Sequence, residues 1–160
     1  MKSRLLALLT VALCATRAIG VTVELPASKD NTLYEAVPDS SLKSNALGEL
    51  MFAGTSGVGD IRRAIVAFDL TSIPSGSVVQ TVTLTLYNTA PRSTTVPVGL
   101  YRVLGDWGEG TSNADAQEGG GAAATTDDAT WLHTFFPDEF WSSDGGDFEP
   151  VASASTSVGD

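Results

Sequence analysis

With 160 residues, nineteen acidic against nine basic side chains and a net charge of −10, the chain has too few cations to neutralise a run of phosphates. Nucleic acid and anionic membrane surfaces are therefore excluded as expected partners. Such an acidic surface fits solubility outside the cell and, more weakly, divalent cations.

Residues 1–20 have the three-part layout of a secretory signal peptide. Lys2 and Arg4 precede an apolar run from Leu5 to Ala15 broken only by Thr10, and Ala18 and Gly20 stand at the −3 and −1 positions of a cleavage site. The run is shorter than the roughly 20 apolar residues that a membrane span requires. The expected mature chain starts at Val21, has no membrane span, and is secreted, extracellular or held at the cell surface. Cys14 follows Leu13, where a lipid-attachment site wants a small residue. Removing residues 1–20 leaves six basic and nineteen acidic side chains, a net charge near −13, and no cysteine. An exported domain without disulfides must stand on its hydrophobic core or on metal ions, and about 140 residues suffice for one core.

The mature chain alternates β-rich runs with Gly, Ser, Asp and Pro punctuation, and helix signals are nearly absent. Val21–Leu25 and Asn31–Val37 are short predicted strands, the second closed by the turn cluster Pro38-Asp39-Ser40-Ser41. Glu49–Ala53 is another short run, ended by Gly54-Thr55-Ser56-Gly57. In Arg62–Leu70, Ala64, Val66, Phe68 and Leu70 share one face and Ile65 and Ala67 the other. Both faces are largely apolar, which predicts a strand in the middle of a sheet. After a turn at Pro74-Ser75-Gly76, Val78–Tyr87 has the cleanest period-two pattern. Val82, Leu84 and Leu86 are expected inside, and Thr81, Thr83, Thr85 and Tyr87 outside.

Val96–Leu104 is the next predicted strand, and Pro97 places it at an edge or pairs it on one side only. Residues 105–128 are rich in Gly, Asp, Glu, Ala and Thr and read as a long loop. Ala129–Phe136 reads as a strand or an extended ledge, and Pro137–Asp147 as a second loop. Phe148–Val158 alternates weakly. Six or seven short strands separated by turns predict one all-β domain over 21–160, an antiparallel β-sandwich or a barrel. The chain stops at Val158-Gly159-Asp160 without an obvious closing strand, so the sandwich is expected to be C-terminally truncated.

Several segments carry a resemblance: DNTLYEAVPDSS at 30–41, RRAIVAFDLTSIPSGSVVQTVTLTLYN at 62–88, VGLYRVLGDWGEGTSNA at 98–114, DATWLHTFFP at 128–137 and GGDFEPVASASTSVG at 145–159. Together they resemble the DNRLRE-type domain, also described as carbohydrate-binding module family 96. The most specific parts are the FDLTSIPSGS-to-LTLY stretch and the pairing of Trp107, Glu109 and Trp131. The resemblance implies a secreted or surface-attached β-jelly roll, joined to polysaccharide-active enzymes or repeated in large surface proteins. Some such domains bind acidic polysaccharides such as alginate. The family pattern continues beyond the SVG segment into further strands that this sequence lacks.

No nucleophile–base pairing stands out, and the only histidine, His133, lies in an aromatic run and reads as structural. The chain is therefore expected to be no enzyme. Zinc is disfavoured by one histidine and no mature cysteine. Calcium is the cation that oxygen-rich loops would suit. Its candidate ligands are Asp144, Asp147 and Glu149 around Gly145-Gly146, with Asp106 and Glu109 beside Trp107; solvated acidic loops are the plain alternative. Sugar binding calls for aromatic faces. Trp107 and Trp131 are candidates that read more readily as core, and Trp141, among Ser142, Ser143, Asp144 and Gly145, is the expected exposed platform. Arg62 and Arg63 suit an anionic ligand through bidentate pairing, against a structural role in which one of them pairs with Asp60 or Asp69.

Two functional readings lead. One is a module that binds extracellular polysaccharide and exposes aromatic rings. The other is a structural or adhesive surface domain, with buried tryptophans, featureless threonine faces and an edge that pairs with a neighbouring surface domain.

Overall fold

The computed structural model describes residues 20–35, 42–89 and 94–159. The predicted signal peptide 1–20, save Gly20, the last two residues of the predicted strand Asn31–Val37 and the turn at 38–41 lie outside the described residues. The fold is all-β, with small antiparallel sheets and no α-helix among the described residues. Its strands are β1 (Ala27–Tyr34), β2 (Lys43–Ser44), β3 (Gly54–Thr55), β4 (Ile61–Phe68), β5 (Val96–Leu100), β6 (Ala122–Ala123), β7 (His133–Phe135), β8 (Glu139–Phe140) and β9 (Ala154–Val158). One sheet has the order β1-β4-β3, and β2-β6, β5-β9 and β7-β8 are two-stranded. Strand β4 is therefore central in its sheet, as its two apolar faces require. Strand β5 pairs on one side only, with Pro97 opposite Ser157, because proline cannot donate to a second ladder.

The register of β1 on β4 sets Asn31 against Ile65 and Leu33 against Arg63. Successive side chains of a strand point to opposite faces, so Asn31, Leu33, Arg63 and Ile65 share one face. Leu33 and Ile65 join Trp107, Ala129, Trp131 and Trp141 in a single buried cluster, with Ala67, Val103 and Leu132 against it. The core thus lies between a two-strand ribbon and the loops that carry the tryptophans.

Residues 105–128 are more ordered in contact than a Gly-rich loop suggests. They include a short 3₁₀ turn at Asp115–Gly120 and strand β6. The Trp107-Gly108 stretch docks on the segment around residues 127–134: Gly108 N donates to Thr134 O at 2.9 Å, and Ala129 N donates to Gly108 O at 2.8 Å. Glycine is required at 108 because a Cβ there would lie 1.9 Å from Asp127 O.

Buried Asn31 ties β1 to these loops. Its Oδ1 accepts from Thr32 N at 2.7 Å and Asn45 N at 3.0 Å, and its Nδ2 donates to Ser44 Oγ at 2.8 Å. Asn31 thus holds the 43–45 segment from one side, while the pairing of β2 with β6 holds it from the other.

Three predicted strands are corrected. Val21–Leu25 forms no strand; the first begins at Ala27. Glu49–Ala53 leads into β3 and is not itself a strand. Val78–Tyr87 also forms none, despite the cleanest alternation in the sequence. Val82 is 83 % exposed and Tyr87 92 %. Its predicted inside face meets no sheet or core, and its backbone makes no hydrogen bond within the described residues. Alternation confers the capacity to pair, and burial requires an edge to pair with.

Candidate functional site

The two adjacent arginines diverge because strand neighbours face opposite ways. Arg62 lies with Tyr34, 5.0 Å from the ring centroid, and its Nη2 is 3.5 Å from Asp60 Oδ2. That is the structural role allowed for it. Arg63 emerges on the core face. Its guanidinium sits 4.8 Å from the Trp131 ring and 4.9 Å from the Phe148 ring, and Nη1 donates to Gly145 O at 2.5 Å. Stacked guanidinium is favoured by the negative face of the ring. Among the described residues Arg63 makes no ion pair.

Arg63 lines an open cleft with Ser142, Ser143, Asp144, Asp147 and Phe148. Gly145 closes against its edge with φ +84°, and a Cβ there would meet Arg63 Nη1 at 2.4 Å and Trp131 at 2.7 Å. Asp147 shapes the 142–147 turn: its carboxylate accepts from Ser142 N at 2.8 Å and Ser143 N at 3.0 Å. Asp144 is exposed at the cleft and has no hydrogen-bond partner among the described residues. On the outer side, Phe148 (37 % exposed) packs edge-on to Tyr101 (43 % exposed), with centroids 5.6 Å apart. The cleft therefore combines a fixed cation with spare donors, a free carboxylate and one partly exposed aromatic ring, Phe148, with Tyr101 beside it. A second cleft, beside Glu49, Asp115 and Glu118, offers acidic groups and no cation. Its Glu118 Oε2 already accepts from Leu50 N at 2.7 Å.

The expectation of Trp141 as an exposed platform is corrected. Trp107 is 3 % exposed, and Trp131 and Trp141 are each 7 %. The indole Nε1 of Trp141 donates to Thr130 O at 2.9 Å, so both its ring and its polar edge are used inside. Only Trp131 touches the cleft, through Arg63 stacked on it.

Of the five acids expected to gather around calcium, Asp106, Glu109, Asp147 and Glu149 have other partners, and Asp144 has none among the described residues. Glu149 pairs with Arg102 at 2.8 Å, and Asp147 caps two amides. The Gly145 carbonyl accepts from the Arg63 guanidinium. Asp106 pairs with Lys29 at 2.8 Å, and that contact, with the Trp107 amide, holds its carboxyl below the usual carboxylate range. The Lys29 ammonium also reaches Trp107 O and lies 4.6 Å from the Trp107 ring. Glu109 Oε1 accepts from Asp30 N at 2.7 Å, and burial, aided by Glu109, raises the Asp30 carboxyl. No group of three His, Cys, Asp or Glu side chains suited to a metal ion occurs among the described residues.

His133 is 5 % exposed. Its Nδ1 meets Thr130 Oγ1 at 2.8 Å, and its ring lies against Phe136 and Phe140. Burial pushes its pKa down, favouring the neutral ring. Tyr34 is fully buried, donates to Glu118 O at 2.6 Å, and is pushed up to about 12, chiefly by burial.

Asn31 and the Tyr101–Phe148 pair escaped sequence reasoning. Asn31 sits beside Asp30 at the head of the DNTLYE segment, where a polar residue inside a strand run was the available signal. The aromatic pair is brought together by the isolated bridge of Val103 with Phe148 and the flanking bonds of Leu104 N to Asp147 O and Glu149 N to Arg102 O, which no spacing rule reveals.

Compared with known proteins, the chain matches no family model, no curated protein and no solved structure. No helix among the described residues is long and apolar enough to cross a membrane.

Proposed function

We propose that this chain is an exported, non-catalytic module that binds extracellular polysaccharide at the Arg63 cleft. The observation that carries the reading is Arg63 itself, an arginine without a carboxylate partner among the described residues of an acidic chain, held between Trp131 and Phe148 at the wall of an open cleft. A guanidinium has five donors in a rigid fork, and one hydrogen bond is accounted for. The remaining donors suit sugar hydroxyls or a uronate carboxylate. Asp144 accepts from hydroxyls, and the exposed edges of Phe148 and Tyr101 offer an apolar face to a pyranose ring. The resemblance to DNRLRE-type domains supports the same substrate class and the finer architecture, in which the small sheets are parts of a jelly-roll sandwich. Secretion rests on the signal-like residues 1–20.

Affinity electrophoresis through gels holding alginate, pectin, xylan, chitosan or cellulose derivatives tests this reading, with calcium and with chelator. Retardation by at least one polymer is expected, reduced tenfold or more by Arg63→Ala in a chain that keeps its thermal transition. Uniform migration of the folded protein in every gel overturns it. Dependence on calcium would assign the cation to the bound complex.

The structural or adhesive reading is favoured by a different observation. All three tryptophans are buried, and the threonine-faced segment 78–87 is unpaired among the described residues.

A further inference from the structure

The segment Val78–Tyr87 has strand sequence without a strand partner among the described residues. Its Val78, Val79, Val82, Leu86 and Tyr87 are all more than half exposed, Leu84 is half-buried, and its backbone N–H and C=O groups make no hydrogen bond within the described residues. Exposed unpaired backbone beside apolar side chains is a template for another strand. We infer that the occupant is a second copy of this chain, paired antiparallel through the same segment.

Two features of the sequence select that occupant. Residues 70–91 contain no Asp, Glu, Lys or Arg, within a chain of net charge −10. Two acidic bodies repel, and this uncharged window lets them approach without opposing like charges. The segment is also complementary to itself about Leu84. In the antiparallel register that sets Leu84 opposite its own copy, Val82 faces Leu86, Thr83 faces Thr85 and Thr81 faces Tyr87. Over residues 81–87, every apolar residue of one face meets an apolar one, and on the other face threonines meet threonine or the tyrosine; beyond them Val79 faces Thr89. Aromatic and β-branched pairs and Thr–Thr pairs are stabilising cross-strand contacts. The result is a two-fold, isologous ribbon. It does not involve Arg63 or its cleft, so it stands or falls separately from sugar binding.

A cross-linking test decides it. In the full chain with Cys14→Ser, Leu84→Cys puts one thiol at the axis. Opposed Cα atoms in an antiparallel pair lie about 4.5–5.5 Å apart, within the range of about 4.4–6.8 Å that a disulfide spans. Val79→Cys puts the two thiols roughly 34 Å apart, from ten residue steps at about 3.4 Å each. Mild oxidation is expected to convert most of the Leu84→Cys protein to a covalent dimer, with at least tenfold less from Val79→Cys. Sedimentation of the wild-type sequence should show a concentration-dependent dimer, lost in Leu84→Lys with the thermal transition of the monomer retained. A wild-type chain that remains monomeric up to the highest soluble concentration overturns the proposal. So does equal cross-linking at the two positions, which would mark non-specific association.

Discussion

Strand β4 and the segment 78–87 are both runs that a sheet would accept, and they stand in opposite environments. Strand β4 holds two arginines and an uneven pattern, yet it is paired on both edges and contributes Ile65 to the core. Segment 78–87 has the more regular alternation and no charge, and it is exposed at every residue but the half-buried Leu84. The difference is in what surrounds each. Strand β4 has β1 beside it and three indoles over its core face, and each indole buries a large apolar area. Nothing described within the chain covers Val82 or Leu86. Alternation is a local property, whereas burial is decided by which other elements come within reach.

Substitutions in the two regions should differ most in stability. Trp107→Ala, in the packed region, is expected to cost about 3–5 kcal/mol in chemical denaturation, since it removes a large buried side chain. Val82→Ser, in the open segment, is expected to stay within about 0.5 kcal/mol when measured at concentrations where copies are apart. A loss of several kcal/mol from Val82→Ser would show that the segment is packed in solution, and the contrast would disappear.

Asn31→Ala tests whether the packed region depends on its buried polar hub as well as its indoles. Thr32 N and Asn45 N would lose their shared acceptor, at a cost of about 1–3 kcal/mol for an orphaned buried group. A thermal transition unchanged by Asn31→Ala would assign the stability of this region to apolar packing alone.

The smallest effect is expected from acid. His133 has a folded pKa below its ordinary value of 6.5 because it is buried. Above that value both folded and unfolded chains hold the ring neutral, and the group contributes no pH dependence. Below it the unfolded chain takes up a proton that the folded chain resists, so stability falls as pH drops from 6.5 until the folded ring protonates. The slope measured between pH 7 and pH 5 should flatten in His133→Gln. An unchanged slope would place the acid sensitivity with the carboxylates instead.

Parts of this arrangement were legible in the residues. The central position of β4 followed from apolar side chains on both its faces, and the edge position of β5 followed from Pro97. The pairing of Arg62 with Asp60 was a readable alternative, since the two are close in sequence. The fates of Trp141 and Arg63 were not readable. Trp141 lies among serines, aspartate and glycine, the company of an exposed loop, yet its indole turns inward to Thr130 O. The polar neighbours instead form the turn around it, held by Asp147.

By itself the sequence determined an acidic, cysteine-poor, strand-rich chain with short elements, because composition and period-two alternation act locally. It also determined that Arg62 and Arg63 must part, since neighbours on a strand face opposite ways. Tertiary structure alone decided which of them reaches a cleft. Residues 33, 63, 131, 145 and 148 come together only when β1 pairs with β4 and the later loops fold over that ribbon. It also decided that the best-patterned segment stays open, because a strand is completed by hydrogen bonds to a partner that its own alternation cannot supply.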